Sequence, residues 1–394
     1  MTKNSMYFQV FLLSIAQAFF QIVSIMVMTI GGLAGKKIAQ LPELATLPIA
    51  TMFLGTALLT FPASIWMARV GRRSGFVIGA MAGVIGSIVS LLGILSESLL
   101  FYSLGTFLIG SFQAFAQFYR FAASEVASSS FRPKAIALTM AGGIVAAFAG
   151  PYLARLGGAL LRPEYTASFL IMAVIATLSA ILLMGLKIPN HVKLETNSFI
   201  NRPLYKIILQ PSYIVALFTA ATGYGIMVLA MTATPLVMFN KHGLDAVATV
   251  IQFHVLGMFV PSFFTGTLIA RFGTLRIMFL GVLFSIGYVV VSTLDTSFVC
   301  FLIALTLIGI GWNFLFIGGT SLLVKTYTPI EKGKAQATND MSIFIINLLC
   351  SFSAAGLLNT FGWKWMNIAL LPWLVICAGL IIWLAISKNK LSII

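Results

Sequence analysis

The strongest restriction on this chain is a succession of apolar blocks, each at least eighteen residues long, that begins near residue 8 and runs almost to the end. Wound as a helix rising about 1.5 Å per residue, such a block crosses the roughly 30 Å hydrocarbon core of a bilayer. The blocks are continuously apolar, rich in Leu, Ile, Ala, Gly and Phe, and lack the in-out alternation of a barrel strand. A helix satisfies its own backbone hydrogen bonds, so blocks of this kind span as helices. Spans are predicted at about 8–33, 44–67, 75–95, 98–122, 134–156, 166–187, 211–238, 246–269, 275–293, 297–324, 335–358 and 364–387. The 394 residues are only 8% charged and 60% hydrophobic, against about a quarter charged in ordinary soluble domains, and cannot build a soluble surface. The predicted fold class is all-α: a polytopic membrane protein of 12 transmembrane helices in two six-helix bundles.

Charge orients the spans. Lys and Arg number 24 against 9 Asp and Glu. With the N-terminus in the cytoplasm, 18 of the 24 fall at the termini or in cytoplasmic loops, among them Arg69, Arg72, Arg73, Arg202 and Lys334. The opposite loops hold only Lys36, Lys37, Arg155, Arg162, Lys241 and Lys364. This bias predicts an even number of spans with both termini cytoplasmic, and it accounts for the basic charge without a nucleic-acid partner. The N-terminal MTKNSMYFQV leads straight into a span and reads as the first helix, not a removed signal. Cys300, Cys350 and Cys377 lie far apart inside apolar blocks and show neither a disulfide framework nor a CxxC metal spacing.

The longest polar stretch, from Pro189 to Pro211, divides the chain almost in half. It predicts an N-terminal bundle at 1–190, a cytoplasmic linker at 191–210 and a C-terminal bundle at 211–394. The same device recurs across that midpoint. IWMARVGRRSGFVIG (65–79) joins spans two and three, and LIARFGTLRIMFLG (268–281) joins spans eight and nine. An internal repeat six spans apart is the pattern of a pseudo-symmetric transporter. The two turns resemble the basic loop between the second and third helices of each half in the major facilitator superfamily, and PIEKGKAQATNDM (329–341) is similar to that superfamily's entry into helix eleven. The first loop departs from the pattern: its usual acidic residue is missing, with Ala68 and Val70 flanking Arg69.

Polar side chains inside a membrane are costly unless they line a cavity or find partners, so each is a candidate for function. Met227 and Met231 are four apart and share a helix face, and His254 and Met258 repeat that spacing on the next span. Thioethers with a neutral imidazole form a soft site that favours Cu(I) over Zn, Mg or Mn, and they remain ligands without deprotonation. Packing is the competing explanation. Chance alone yields about 0.7 Met pairs at this spacing among 17 Met, but only about 0.13 His-to-Met pairs. A proton-coupling role for His254 also stays open. MxxxM in helix seven followed by HxxxM in helix eight resembles the paired signature of the CcoA-type copper importers (CalT family), a bacterial branch of the superfamily. That resemblance implies copper ligation by Met227, Met231, His254 and Met258, and a bacterial inner-membrane location.

YRFAASEVASSSFRPKAIALTMAGGIVAAFAGP (119–151) resembles the span four to five segment of the wider branch, which includes riboflavin importers without the metal motifs. Arg120 and Glu125, five apart, are expected to pair near the cytoplasmic gate, with Asp340 as a gate or coupling residue in the second half. Gln17 with Gln21, and Gln113 with Gln117, lie one turn apart. They and Asn313 are candidates for lining a cavity, with bonding across helices as the alternative. Gly142, Gly143, Gly309 and Gly311 predict close helix contact.

The expected function is import of copper, as Cu(I), by alternating access, with copper as cargo and no cofactor. The alternative is import or export of a small organic molecule such as a flavin-like vitamin or an amphiphilic drug, suggested by the amide pairs and 12% aromatic content. No phosphate loop, nucleophile-base pair or HExxH is present, so no enzyme is expected. The expected partners are membrane lipids and the cargo, and the expected state is a monomer.

Overall fold

The computed structural model describes residues 3–128, 132–188, 202–328 and 331–391, which are almost entirely helical. The helices are α1 (Lys3–Ile38), α2 (Leu47–Val70), α3 (Arg72–Leu95), α4 (Leu99–Ala116), α5 (Tyr119–Val126), α6 (Arg132–Leu160), α7 (Thr166–Met184), α8 (Leu204–Ile208), α9 (Pro211–Phe259), α10 (Ser262–Phe272), α11 (Thr274–Leu294), α12 (Phe298–Leu323), α13 (Lys332–Ile368) and α14 (Leu371–Leu391). A 3-10 turn at Pro42–Thr46 precedes α2.

Ten helical stretches are long and apolar enough to cross a membrane among the described residues. Two of them run for 62 and 54 residues, roughly 90 and 80 Å of helix, more than twice the hydrocarbon thickness. Each is broken by a glycine with left-handed φ. Gly243 (φ 75°, ψ 175°) interrupts α9 and Gly362 (φ 70°, ψ 170°) interrupts α13. A residue with a Cβ is strained there, so glycine marks where one helix ends and the next begins. Each long stretch is therefore two spans, and the described residues hold twelve.

The internal repeat is visible in the backbone. Gly71 (φ 94°, ψ 153°) precedes α3 and Gly273 (φ 88°, ψ 151°) precedes α11, in the two basic turns that the sequence pairs. Three spans expected to be continuous are interrupted. The fourth breaks at 117–118 between α4 and α5, the eighth at 260–261 before α10, and the twelfth at 369–370 before α14. At the eighth, Pro261 supplies no backbone N–H and its ring crowds the preceding turn, so the helix stops and restarts. The expected linker at 191–210 includes the short helix α8, and its residues up to 201 lie outside the described residues.

The chain separates into two compact units. The N-terminal unit comprises Met1–Lys193, Thr232–Gln252 and Ser351–Gly356, and the C-terminal unit comprises Leu194–Met231, Phe253–Cys350 and Leu357–Ile394. The core of the N-terminal unit is built on Leu13, Phe20, Phe76, Phe112 and Tyr119, with edge-on ring pairs Phe20 with Phe112 (5.7 Å) and Phe76 with Tyr119 (4.7 Å). Edge-to-face pairs add about 0.5–1.5 kcal/mol each beyond their burial. In the C-terminal unit the seventh span packs on α12 and α13 through Ala220, Ala221 and Ile343, with Tyr224, Phe316 and Ile346 against them.

Candidate functional site

The centre of the C-terminal unit is an aromatic cluster on four spans. Tyr224 of α9 stands edge-on to Trp312 (5.2 Å) and Phe316 (5.0 Å) of α12 and lies 6.4 Å from Phe344 of α13. Trp312 stacks flat on Phe316 at 5.1 Å and 13°, because residues four apart share one face of α12. Phe259, at the end of α9, approaches the same indole at 6.2 Å. Trp312 therefore touches rings from both the seventh and the eighth spans.

The four predicted copper ligands lie in this unit and are all buried, with exposures of 4% for Met227 and Met231, 0% for His254 and 9% for Met258. Met227 and Met231 follow Tyr224 by three and seven residues and so continue its helix face toward the other end of the span. His254 faces α12: its Nδ1 lies 2.7 Å from the carbonyl oxygen of Leu305. A ring nitrogen at that distance from a carbonyl donates, so Nδ1 carries the proton and Nε2 holds the lone pair. Nε2 is buried without a hydrogen-bond partner. Gly309 makes this approach possible, since a Cβ there would come within 2.5 Å of the His254 carbonyl oxygen. Among the described residues no three His, Cys, Asp or Glu side chains gather as a metal-binding group. A metal in this unit would depend on thioether sulfur.

Two more polar side chains at the cluster have no partner: the Trp312 indole N–H and both amide atoms of Asn347. Asn347 is completely buried. It follows Ile343 and Phe344 by one turn on α13, and its neighbours Ile346 and Cys350 line the position of Gly225. It therefore lies on α13 between side chains that pack on the seventh span, one turn from the Phe344 ring that approaches Tyr224. Sequence reading assigns no role to Asn347 or Trp312, because neither belongs to a motif.

Asn313, expected to line a cavity, is instead committed to the bundle. Its Nδ2 donates to the Met258 carbonyl and to Ser262 Oγ, and its Oδ1 accepts from Thr265 Oγ1, each at 2.6 Å. Both amide hydrogens are used where the eighth span breaks beside Pro261, and one of them serves the Met258 carbonyl there. Gln113 is similarly engaged, accepting from Thr56 Oγ1 at 3.1 Å. Gln117 stands at the break between α4 and α5, Gln17 is buried and Gln21 is half-buried.

The expected pairing of Arg120 with Glu125 does not form. Glu125 accepts from Arg72, at 2.7 Å from Nη2 and 3.3 Å from Nε, and Arg120 lies over the Phe121 ring at 4.9 Å. Five residues turn a helix by about 500°, which leaves the two side chains roughly 140° apart on α5. The acid missing from the first basic loop is thus supplied by α5. Its counterpart in the C-terminal unit is the completely buried Glu331, which accepts from Arg202 Nε at 2.8 Å and Nη2 at 2.7 Å and from the backbone N–H of Thr328 at 2.9 Å. These bonds, that of Arg202 first, hold its carboxyl well below the usual carboxylate range. Asp340 is half-buried and accepts from Asn339 at 3.0 Å.

The sequence profile of the Major Facilitator Superfamily matches residues 7–291. The riboflavin transporter RfnT of Brucella anthropi is 37% identical over 92% of this chain and 92% of its own length. YdeG of Bacillus subtilis, an uncharacterized MFS-type transporter, is 29% identical over 84% of this chain and 81% of its own. Among solved structures, a variant of the nucleoside transporter NupG superposes with a TM-score of 0.72 at 13% identity, covering 95% of this chain and 99% of the other. An inward-facing bacterial homologue of the human lysosomal transporter Spinster gives 0.72 at 14%, covering 99% of both chains. Twelve apolar spans, the repeated glycine turns and these likenesses agree: the chain is a multi-pass secondary transport protein and belongs to the Major Facilitator Superfamily.

Proposed function

We propose that the chain imports a small planar organic molecule of the flavin type, held in its C-terminal unit. The aromatic cluster of Tyr224, Trp312, Phe316 and Phe344 carries this reading. Aromatic walls bind flat conjugated rings over a large area and select for shape, with a few polar groups setting orientation. The 37% relative named as a riboflavin transporter supports the same class of cargo. The protein works as a monomer in a bacterial inner membrane with both termini cytoplasmic, and its conformational cycle is alternating access. Expression in a riboflavin-requiring bacterium tests the reading. Growth on low riboflavin and uptake of labelled riboflavin are expected to rise with the protein and to fall at least about tenfold in Tyr224→Ala, which removes the central ring. Uptake no higher than in cells lacking the protein overturns it.

Copper import is the second reading. It is favoured by the buried Nε2 lone pair of His254, in the same unit as three buried thioethers. A neutral imidazole with thioether sulfur suits Cu(I), and a transported ion needs a labile two- or three-coordinate site. Uptake of radioactive copper under reducing conditions separates the two. The copper reading expects Met231→Ala and His254→Ala to abolish uptake, while replacement of the exposed Met184 by Leu leaves it intact. Copper uptake that does not depend on the protein returns the four residues to packing or proton coupling.

A further inference from the structure

The organic-cargo reading leaves open how a flat molecule is told from other flat molecules, since ring faces alone discriminate weakly. Besides the hydroxyls of Thr232 and Ser351, three unpartnered polar groups lie on the spans of the aromatic cluster among the described residues: the Trp312 indole N–H, the Asn347 carboxamide and His254 Nε2. His254 is anchored through its other nitrogen and lies one turn or more along α12 from Trp312, beside Leu305. Trp312 and Asn347 are different. Both flank Tyr224, Trp312 by direct ring contact and Asn347 through Phe344, one turn before it on α13.

An amide buried in a bilayer without a partner costs several kcal/mol, and an indole N–H somewhat less. The indole N–H cannot turn back to bond its own helix, and Asn347 does not do so, whereas Asn367, also in α13, donates to the Trp363 carbonyl at 2.8 Å. By contrast the Asn313 amide has three partners, and the Gln113 carbonyl oxygen accepts from Thr56. Two groups left open beside one aromatic wall are therefore positions where a partner arrives from outside the fold.

We propose that Asn347 and Trp312 read the polar edge of the cargo, a planar heteroaromatic ring bearing an imide or cyclic amide that lies against Tyr224 and Phe344. The inference rests on the organic-cargo reading above. Asn347 offers one acceptor and two donors, and Trp312 offers one donor. Together they match an edge that presents an N–H flanked by carbonyl oxygens: Asn347 Oδ1 accepts from the ring N–H, while Asn347 Nδ2 and Trp312 Nε1 donate to the carbonyls. A site that hydrogen-bonds a ligand N–H rejects the analogue lacking it far more strongly than an apolar site does, because the protein groups are then buried unpaired. The pair is thus a specificity determinant, and the surrounding rings supply most of the area.

The test compares cellular uptake of riboflavin, whose ring carries such an imide, with riboflavin methylated on the imide nitrogen. Wild type, Asn347→Leu and Trp312→Phe are compared at matched membrane abundance. Trp312→Phe keeps an aromatic ring in the stack and removes the N–H together with the fused five-membered ring. Wild type is expected to favour riboflavin by about tenfold or more. Asn347→Leu is expected to lose about tenfold of riboflavin uptake with the methylated analogue unchanged, so that the preference collapses, and Trp312→Phe is expected to lose a few-fold. Variants that leave the preference intact, or that lower both uptakes equally, overturn the proposal while the cargo reading stands. Absence of riboflavin uptake by wild type overturns the cargo reading and this inference with it. If Asn347→Leu does not reach the membrane, the preference measured in Trp312→Phe decides.

Discussion

In the N-terminal unit, Gln9 accepts from the backbone N–H of Lys187 at 2.7 Å and Gln113 accepts from Thr56 at 3.1 Å, whereas at the centre of the C-terminal unit the Asn347 amide and the Trp312 indole have no partner. The groups left open in the N-terminal unit are mostly hydroxyls such as those of Ser90, Ser103 and Ser179, which swing easily toward a carbonyl of their own helix. An engaged amide contributes to folding and cannot bind cargo without first breaking its bonds. An open amide opposes folding and is ready to bind. The contrast assigns Gln9 and Gln113 to holding helices together and Asn347 with Trp312, beside Tyr224, to recognition.

That assignment is best broken through stability, since engaged and open groups respond to truncation with opposite signs. The largest effect is expected at Glu331, the most completely engaged acid of the C-terminal unit. Glu331→Gln should lower the melting temperature in detergent more than any other change named here, because it leaves Arg202 without its charge partner. Its pH dependence has a definite sign. The folded carboxyl titrates below its ordinary value of 4.5, so its stabilisation is complete above that value and is lost as pH falls through the depressed one. The gap between wild type and Glu331→Gln should stay constant from neutral pH to about pH 5 and close only in stronger acid. A gap that narrows between pH 8 and 6 would contradict this geometry.

Asn313→Leu should follow, with a loss of about 2 kcal/mol, since it removes three bonds at the break in the eighth span and leaves the Met258 carbonyl only the long one from Ser262, while Thr265 keeps its bond to the Pro261 carbonyl. The smallest and sharpest test is a pair. Gln113→Leu should cost about 1 kcal/mol, because the single Thr56 hydroxyl proton still has the Met52 or Gly110 carbonyl to bond. Asn347→Leu should cost nothing or raise stability by up to about 1 kcal/mol, since it removes a buried group without a partner. Thermal melts giving both variants the same loss would erase the distinction between the two units.

Much of the fold is readable from periodicity and charge. The paired basic turns at 65–79 and 268–281 appear in the structure as glycines of nearly the same backbone conformation, Gly71 and Gly273. The breaks within spans are less readable. The one at 260–261 lies at a proline inside a run whose hydropathy never falters, and hydropathy does not report where a donor is missing. Pairing is hardest to read. Arg120 and Glu125 are close in sequence yet diverge around α5, and Glu125 finds Arg72 from 53 residues away.

Sequence alone determined that this chain crosses a membrane about twelve times, that its halves repeat and that it belongs among secondary transporters, because block length, loop charge and spacing are local quantities that the bilayer reads directly. Sequence also picked out His254 and its methionines by motif. Only the tertiary structure decided which polar groups are already occupied. Asn313 and Asn347 are the same residue type in equally apolar spans, one saturated by three partners and the other by none. The difference is set by which helix faces them across the bundle, and no local pattern encodes that.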